Sequence, residues 1–312
     1  MLPGTWRVVF SSSGDLAPER AAVRGSGLRS RLWTEAAWRP LRIAIDSIAA
    51  VVLPSDCRIC NRALVQLSRI PVCTECLNSL TPADVTACSV CGEALGFRSS
   101  GSETLCGVCR RAHPRFDFAL SFGSYDGALR RLVHLLKYEQ FRPAANVLGA
   151  KLAEVLRRSE FAADRPALVI PVPLHPSKRR QRGFNQSELI ARRAVQNLGG
   201  SRFELHLGNL RRGRATLSQT GLTSHQRREN VRGAFIVTAP ARVKDRNVVI
   251  IDDVYTTGTT LNECARVLRA AGARQIAVAT VARVYRAVAE IVLHEVSNQE
   301  RHAAALVEAA AG

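Results

Sequence analysis

The chain has 312 residues, 46% of them apolar and 22% charged, enough for one large domain and a smaller one, each with a core. Forty-four Lys and Arg against 26 Asp and Glu leave a formal charge of +18, which favours polyanionic partners, nucleic acid or phosphorylated metabolites, without choosing between them. The most apolar run, "IAIDSIAAVVLP" at 43–54, is too short for a bilayer and carries Asp46, and residues 1–40 hold no continuous apolar core; neither a membrane span nor a signal peptide is expected, which places the protein in the cytoplasm.

Residues 1–40 are Arg-rich and irregular, yet contain all three tryptophans, Trp6, Trp33 and Trp38. They read as a basic, poorly ordered extension, or as a start placed upstream of the natural one. Residues 41–53 suggest a short helix leading into a cysteine-rich domain at 41–113. Eight of the nine cysteines form four C-x-x-C pairs: Cys57/Cys60, Cys73/Cys76, Cys88/Cys91 and Cys106/Cys109. In a reducing compartment this points to metal rather than disulfides. Each pair makes a tight knuckle, and two knuckles complete a closed tetrahedral thiolate site, so two structural Zn2+ ions are expected. Their binding would supply folding free energy to a segment too small for its own core. Sequential pairing joins the first two pairs and the last two; crossed pairing is equally allowed by the spacing. Cys264 reads as a small core residue.

Past the cysteines, "FDFALSFGSYDG" (116–127) reads as a strand ending in a turn. "ALRRLVHLLKY" has helical spacing, with Leu129, Leu132, Val133 and Leu136 on one side, and a second helix covers 144–158. From 167 strands and helices alternate: "ALVIPVP" is a strand, "NQSELIARRAVQNL" a helix, "FELHL" and "GAFIV" strands. "NVVIID" follows as a strand, then a helix to Ala271, and "QIAVATVA" closes the series. Apolar β-branched runs separated by helices predict a parallel α/β sheet covered on both faces. That domain is expected at 114–286, followed by a helical tail at 287–312.

"DDVYTTGTT" (252–260) stands where such a sheet binds ligands, beyond the carboxyl end of a strand. Its turn feeds a helix, so free backbone N–H groups and the positive end of the helix dipole converge there, a ready phosphate site. Gly258 lets the backbone approach closely, and four threonine hydroxyls add donors. Ionised Asp252 and Asp253 only accept hydrogen bonds, and vicinal hydroxyls are their natural partners. Phosphate beside a diol describes a ribose 5-phosphate. A helix cap needs only one such residue, and the G-K-[ST] ending of a nucleoside triphosphate loop is missing.

This stretch resembles the phosphoribosyl diphosphate (PRPP) loop of type I phosphoribosyltransferases. The resemblance implies that Asp252 and Asp253 hold the ribose 2- and 3-hydroxyls. Thr256, Thr257, Gly258, Thr259 and Thr260 would bind the 5-phosphate of PRPP carrying Mg2+. Purine-type members have a further loop carboxylate, and Thr256 occupies that position here, which disfavours a purine acceptor. "PVPLHPSKRRQRGFNQS" stands where that family binds pyrophosphate, and Lys178, Arg179, Arg180 and Arg182 would neutralise the leaving group. Residues 211–233 occupy the place of the family's mobile lid. Between 171 and 232 lie 13 Lys or Arg and 3 Glu, a local excess of 13 − 3 = +10.

Cysteine pairs ahead of such a loop, with "LKYEQFRPAANVLG" and "QTGLTSHQRRENVRGAF" between, resemble the competence protein F (ComF/GntX) family. This implies a zinc ribbon domain before a type I phosphoribosyltransferase-like sheet, and a role in taking up DNA. PRPP, single-stranded DNA, and competence or DNA-translocation proteins would then be partners. One reading is a phosphoribosyltransferase. The other is a non-catalytic adaptor for single-stranded DNA whose PRPP pocket is a sensor or a relic. Aromatic residues make up only 5% of the chain, so stacking platforms are few. Phe97, Phe116, Phe184 and Tyr138 are the candidates, with core packing the better expectation for each.

Overall fold

The computed structural model describes residues 56–64, 70–95, 105–162, 165–200, 202–214 and 223–285. The expected N-terminal extension, the helix at 41–53, the centre of the lid, Phe97 and the C-terminal tail lie outside the described residues. The chain divides into two compact units, the boundary falling between Leu80 and Thr81.

The unit ending at Leu80 contains two of the C-x-x-C pairs: an antiparallel bridge between Asp56 and Ala63 closes the Cys57/Cys60 knuckle, and Cys73/Cys76 opens the short helix α1 (Thr74–Asn78). Cys73 caps α1, its sulfur accepting from the amide of Cys76. The same build recurs 31 residues later in the other unit, where Ala87 bridges Ala94. Asn61 and Gly92, also 31 apart, make the left-handed residue of these two bridged knuckles, at φ +59° and +74°. Helix α2 (Gly107–Arg111) follows Cys106 as α1 follows Cys73.

The larger unit is a five-stranded, fully parallel sheet in the order β1 (Phe118–Ser124), β7 (Gln275–Arg283), β6 (Asn247–Tyr255), β2 (Ala167–Pro171), β3 (Phe203–Leu205). The apolar runs form the buried centre, as expected of strands covered on both faces. On one face, Leu168, Ile170, Val248, Ile250, Ile276 and Val278 pack with α9 (Thr259–Ala270) and with the second set of cysteines. On the other, α4 (Ala144–Arg158) covers β1 and β7, and α6 (Gln186–Leu198) covers β2 and β6. A Cβ on Gly149 of α4 would lie 2.4 Å from the Cβ of Arg193, so glycine lets these two helices touch backbone to backbone. Helix α3 (Gly127–Tyr138) buries Leu129, Leu132, Val133 and Leu136, the four positions its spacing selects, together with Leu135. Cys264 is fully buried on α9, a core residue as its isolation suggested.

Two stretches differ from their sequence reading. "GAFIV" does not join the parallel series: β5 (Phe235–Val237) pairs antiparallel with β4 (Leu210–Arg212) in a separate ribbon. Three residues with Ile236 57% exposed cannot serve as a strand buried on both faces. The basic segment after β2, to which the sequence reading assigned no element, contains the helix α5 (Pro176–Arg182). Pro176 opens it, the ring of His175 accepts from the amide of Ser177, and Gly183 closes it at φ +73°. Helices α7 (Ser224–Val231) and α8 (Pro240–Val243) complete the elements described.

Candidate functional site

Strands β2 and β6 are parallel neighbours, with Pro171 opposite Ile251. Their carboxyl ends therefore open on the same edge of the sheet, one into the basic segment and the other into the two aspartates. Successive strand residues point to opposite faces, so Asp252 and Asp253 find different partners. Asp252 accepts from the hydroxyl of Ser187 at 2.8 Å and from the amide of Asp253 at 3.0 Å. Asp253, 4% exposed, accepts from the amide of Val254 at 2.7 Å, and its other oxygen lies 2.8 Å from Nζ of Lys137 on α3. Desolvation pushes the Asp252 carboxyl up to about 7, with the charge of Asp253 adding to the rise and Lys137 and Ser187 opposing it. Burial works against the charge of Lys137, but the Asp253 carboxylate outweighs it and holds the ammonium above the usual lysine value.

Tyr255 ends β6, and the turn from Thr256 to Gly258 enters α9. Gly258 sits at φ +71°, and a Cβ there would fall 2.2 Å from the hydroxyl oxygen of Tyr255, so the turn passes under that ring only as glycine. No side-chain hydrogen bond caps α9, so the positive end of its dipole faces this turn. The hydroxyls of Thr257 and Thr259 stand 2.8 Å apart at this entrance. On the β2 side, Asn185 caps α6, accepting from the amide of Ser187 at 3.1 Å, and its Nδ2 donates to the carbonyl of Val172 at 3.0 Å. This fixes the start of α6, and with it the Ser187 hydroxyl, against the end of β2.

The predicted basic residues divide. Arg179 and Arg180 line a cleft of about 840 Å3 with Arg192, Arg211 and Arg212, among Pro173, Leu174 and Leu207. Glu188 in its wall lies 3.0 Å from Arg192 and 3.6 Å from Arg179. Lys178 and Arg182 are not among the lining residues: Lys178 donates to Gln181, and Arg182 donates to Gln186 and lies over the ring of Tyr138. The aspartates and the threonine turn do not line it either. Of the aromatic candidates, Phe116 and Phe184 are buried, and Tyr138 is 65% exposed. Lys137 and Ser187 went unrecognised in the sequence. A lysine on an amphipathic helix and a serine at a helix start carry no local sign of an aspartate 116 or 65 residues away.

The cysteines group sequentially: Cys57, Cys60, Cys73 and Cys76 in one tetrad, Cys88, Cys91, Cys106 and Cys109 in the other, with all four sulfurs of each within 4.8 Å of one another. Zn–S bonds of about 2.3 Å in a tetrahedron require S···S edges of about 3.8 Å. Cys60 and Cys73 stand 3.7 Å apart, Cys91 and Cys106 3.6 Å. Hydrogen bonding from Cys91 draws the Cys88 thiol down, helped by knuckle amides against burial, while the same bond and burial push Cys91 up. Both tetrads fit a structural zinc. The second is buried at all four positions.

Comparison with known proteins finds a matching domain family and several relatives. The phosphoribosyl transferase domain family matches residues 185–304. Competence protein F of Haemophilus influenzae is 31% identical over 55% of this chain and 76% of its own length. The DNA utilization protein YhgH of Escherichia coli O157:H7 is 34% identical over 53% and 71%. Competence protein ComFC of Bacillus subtilis is 25% identical over 41% and 50%. Among the described residues, no helix is long and apolar enough to cross a membrane.

Proposed function

The chain belongs to the competence protein F family, and from that premise we propose that it binds PRPP at the shared edge of β2 and β6 and serves DNA uptake or processing in the cytoplasm. One observation carries this reading: a partnered pair of carboxylates, Asp253 buried and Asp252 half-buried, stands directly before a turn that only glycine can make and that enters a helix with no side-chain cap. Asp252 and Asp253 would accept from the ribose diol. The amides and hydroxyls of Thr256 to Thr260 would take the 5-phosphate. The arginines after β2, Arg179 foremost, would face the pyrophosphate. Asp252 and Asp253 are the acidic residues near which a Mg2+ brought with PRPP would be held, and that ion would supply charge neutralisation for the diphosphate.

In turnover, an acceptor would attack the anomeric carbon as its bond to pyrophosphate breaks, through an oxocarbenium-like transition state. This chain's part is positioning and electrostatics. Lys137 pairs with and orients Asp253, and Ser187 orients Asp252. Thr256 offers no carboxylate, so the acceptor must arrive as a nucleophile or lose its proton elsewhere.

The five arginines of the cleft favour a second reading, an adaptor that holds single-stranded DNA by its phosphates. Calorimetric titration of Mg2+–PRPP into the wild type and into Asp252→Asn/Asp253→Asn tests the first reading. Binding lost in the double variant upholds it; absence of binding in a folded, zinc-loaded wild type removes it. Single-stranded DNA binding that weakens with salt, and whose salt slope falls by about one on Arg192→Ala or Arg211→Ala, would support the adaptor.

A further inference from the structure

Arg283, the last residue of β7, is 2% exposed. An arginine buried this deeply is retained only where it is well paired. Its Nη2 donates to Glu93 at 2.8 Å and lies 3.7 Å from the sulfur of Cys91, and its Nη1 donates to the carbonyl of Cys91. The guanidinium therefore grips one knuckle of the second tetrad at backbone, sulfur and the neighbouring carboxylate. Four thiolates around a divalent ion carry a formal charge of −2, so its positive charge suits the loaded tetrad.

The other face of the guanidinium lies 4.0 Å from the centroid of the Tyr255 ring, a close cation–π contact. Tyr255 and Arg283 are register partners on adjacent strands, so the contact is set by the sheet. The hydroxyl end of that ring occupies the space a side chain at position 258 would need. Phe116 packs edge-on against Tyr255 at 6.4 Å. The result is a continuous line of buried contacts from Cys91 through Arg283 and Tyr255 to the turn at Gly258. At the far end the knuckle is held to the sheet, the amide of Ala119 donating to the carbonyl of Val90 at 2.8 Å. A Cβ on Gly92 would come 3.1 Å from the carbonyl oxygen of Ala119.

We infer that the second cysteine tetrad, once loaded, is the structural support of the ribose-phosphate turn, with Arg283 as the positioning residue that transmits it. The tetrad's metal and a ligand on the turn then stabilise each other, because coupling between two sites is reciprocal. The ligand half of this inference rests on the PRPP reading of the turn; the metal half does not.

The test uses the full, zinc-loaded chain without ligand first. Hydrogen exchange is read over residues 256–262, with α6 as an internal control, and zinc release to a chromogenic chelator is followed in parallel. Release from the first tetrad is identified with Cys57→Ser/Cys60→Ser. In Arg283→Met, exchange of the turn and zinc loss from the second tetrad both rise, by about tenfold if the coupling is of ordinary size, while α6 stays protected. Arg283→Lys recovers part of this. Should Arg283→Met not fold, Tyr255→Leu tests the line from the other end, and faster zinc loss from the second tetrad is expected there too. Changes below about twofold, or equal changes at both tetrads, overturn the inference.

Mg2+–PRPP is then added to the wild type. Slower zinc release from the second tetrad alone upholds the ligand half, and bound PRPP without that slowing overturns it. If the wild type binds no PRPP, the phosphate reading of the turn fails, while faster exchange in Arg283→Met still upholds the link between metal and turn.

Discussion

Replacing Lys137 by Met isolates one charge in the buried acidic site. The lysine and Asp253 side chains are 16% and 5% exposed and 2.8 Å apart. At an effective dielectric constant of about 20, that separation corresponds to about 6 kcal/mol of attraction, of which desolvation of the two ions cancels a large part. Removing one partner of such a pair leaves the other buried and uncompensated, and a loss of about 3–4 kcal/mol is expected near pH 8. The loss should shrink with acidification. Desolvation and Asp253 already raise Asp252 to about 7. A carboxyl raised on folding stabilises the fold when protonated, so its contribution is full below its unfolded value and disappears as pH climbs through about 7. Without Lys137 the Asp252 carboxyl rises further, and protonating it at pH 5 relieves the repulsion with Asp253. Urea denaturation of zinc-loaded wild type, Lys137→Met and Lys137→Arg at pH 5 and 8 measures this directly. Losses that are equal at the two pH values, or below about 1 kcal/mol at pH 8, would refute the claim that Lys137 neutralises the acidic pair.

Three other outcomes can be checked. Gly258→Ala places a Cβ against Tyr255 at positive φ, so it should lower stability by about 1–2 kcal/mol from the backbone alone and abolish PRPP binding in calorimetry; unchanged binding would show that the turn can shift without consequence. Binding of a diol needs Asp252 ionised, so association of PRPP near pH 7 should release protons, and affinity should rise from pH 5.5 to 7.5 and then level off. Titrations in buffers of different ionisation enthalpy report that release, which must vanish in Asp252→Asn. Metal analysis should find two zinc ions per chain. Cys60→Ser should lower this to one with the sheet intact, whereas Cys88→Ser should lower the melting temperature of the whole larger unit, because Cys88 belongs to its core.

The sequence by itself determined the elements that depend on local periodicity. The apolar run before Asp252 had to be a strand covered on both faces, and Leu129, Leu132, Val133 and Leu136 had to share a helix face. Four C-x-x-C pairs marked metal knuckles, and the proposal of a phosphate and diol site rests on adjacent aspartates before a Thr/Gly turn, nine residues of chain. Other features were decided by long-range packing alone. Spacing allowed either pairing of the knuckles, and only their position in space groups them in order. The stretch "RRQR" shows no apolar stripe, so α5 is legible only through Pro176 and Gly183 at its ends. Lys137 reads as a solvated lysine until the fold sets it against Asp253. Arg283, at the end of an apolar strand, reads as a charge reaching for water. It is buried because Glu93 and Cys91, some 190 residues earlier, meet it in the core. A charge can leave water only where opposite charge already waits, and which charges meet is a property of the assembled sheet and knuckle.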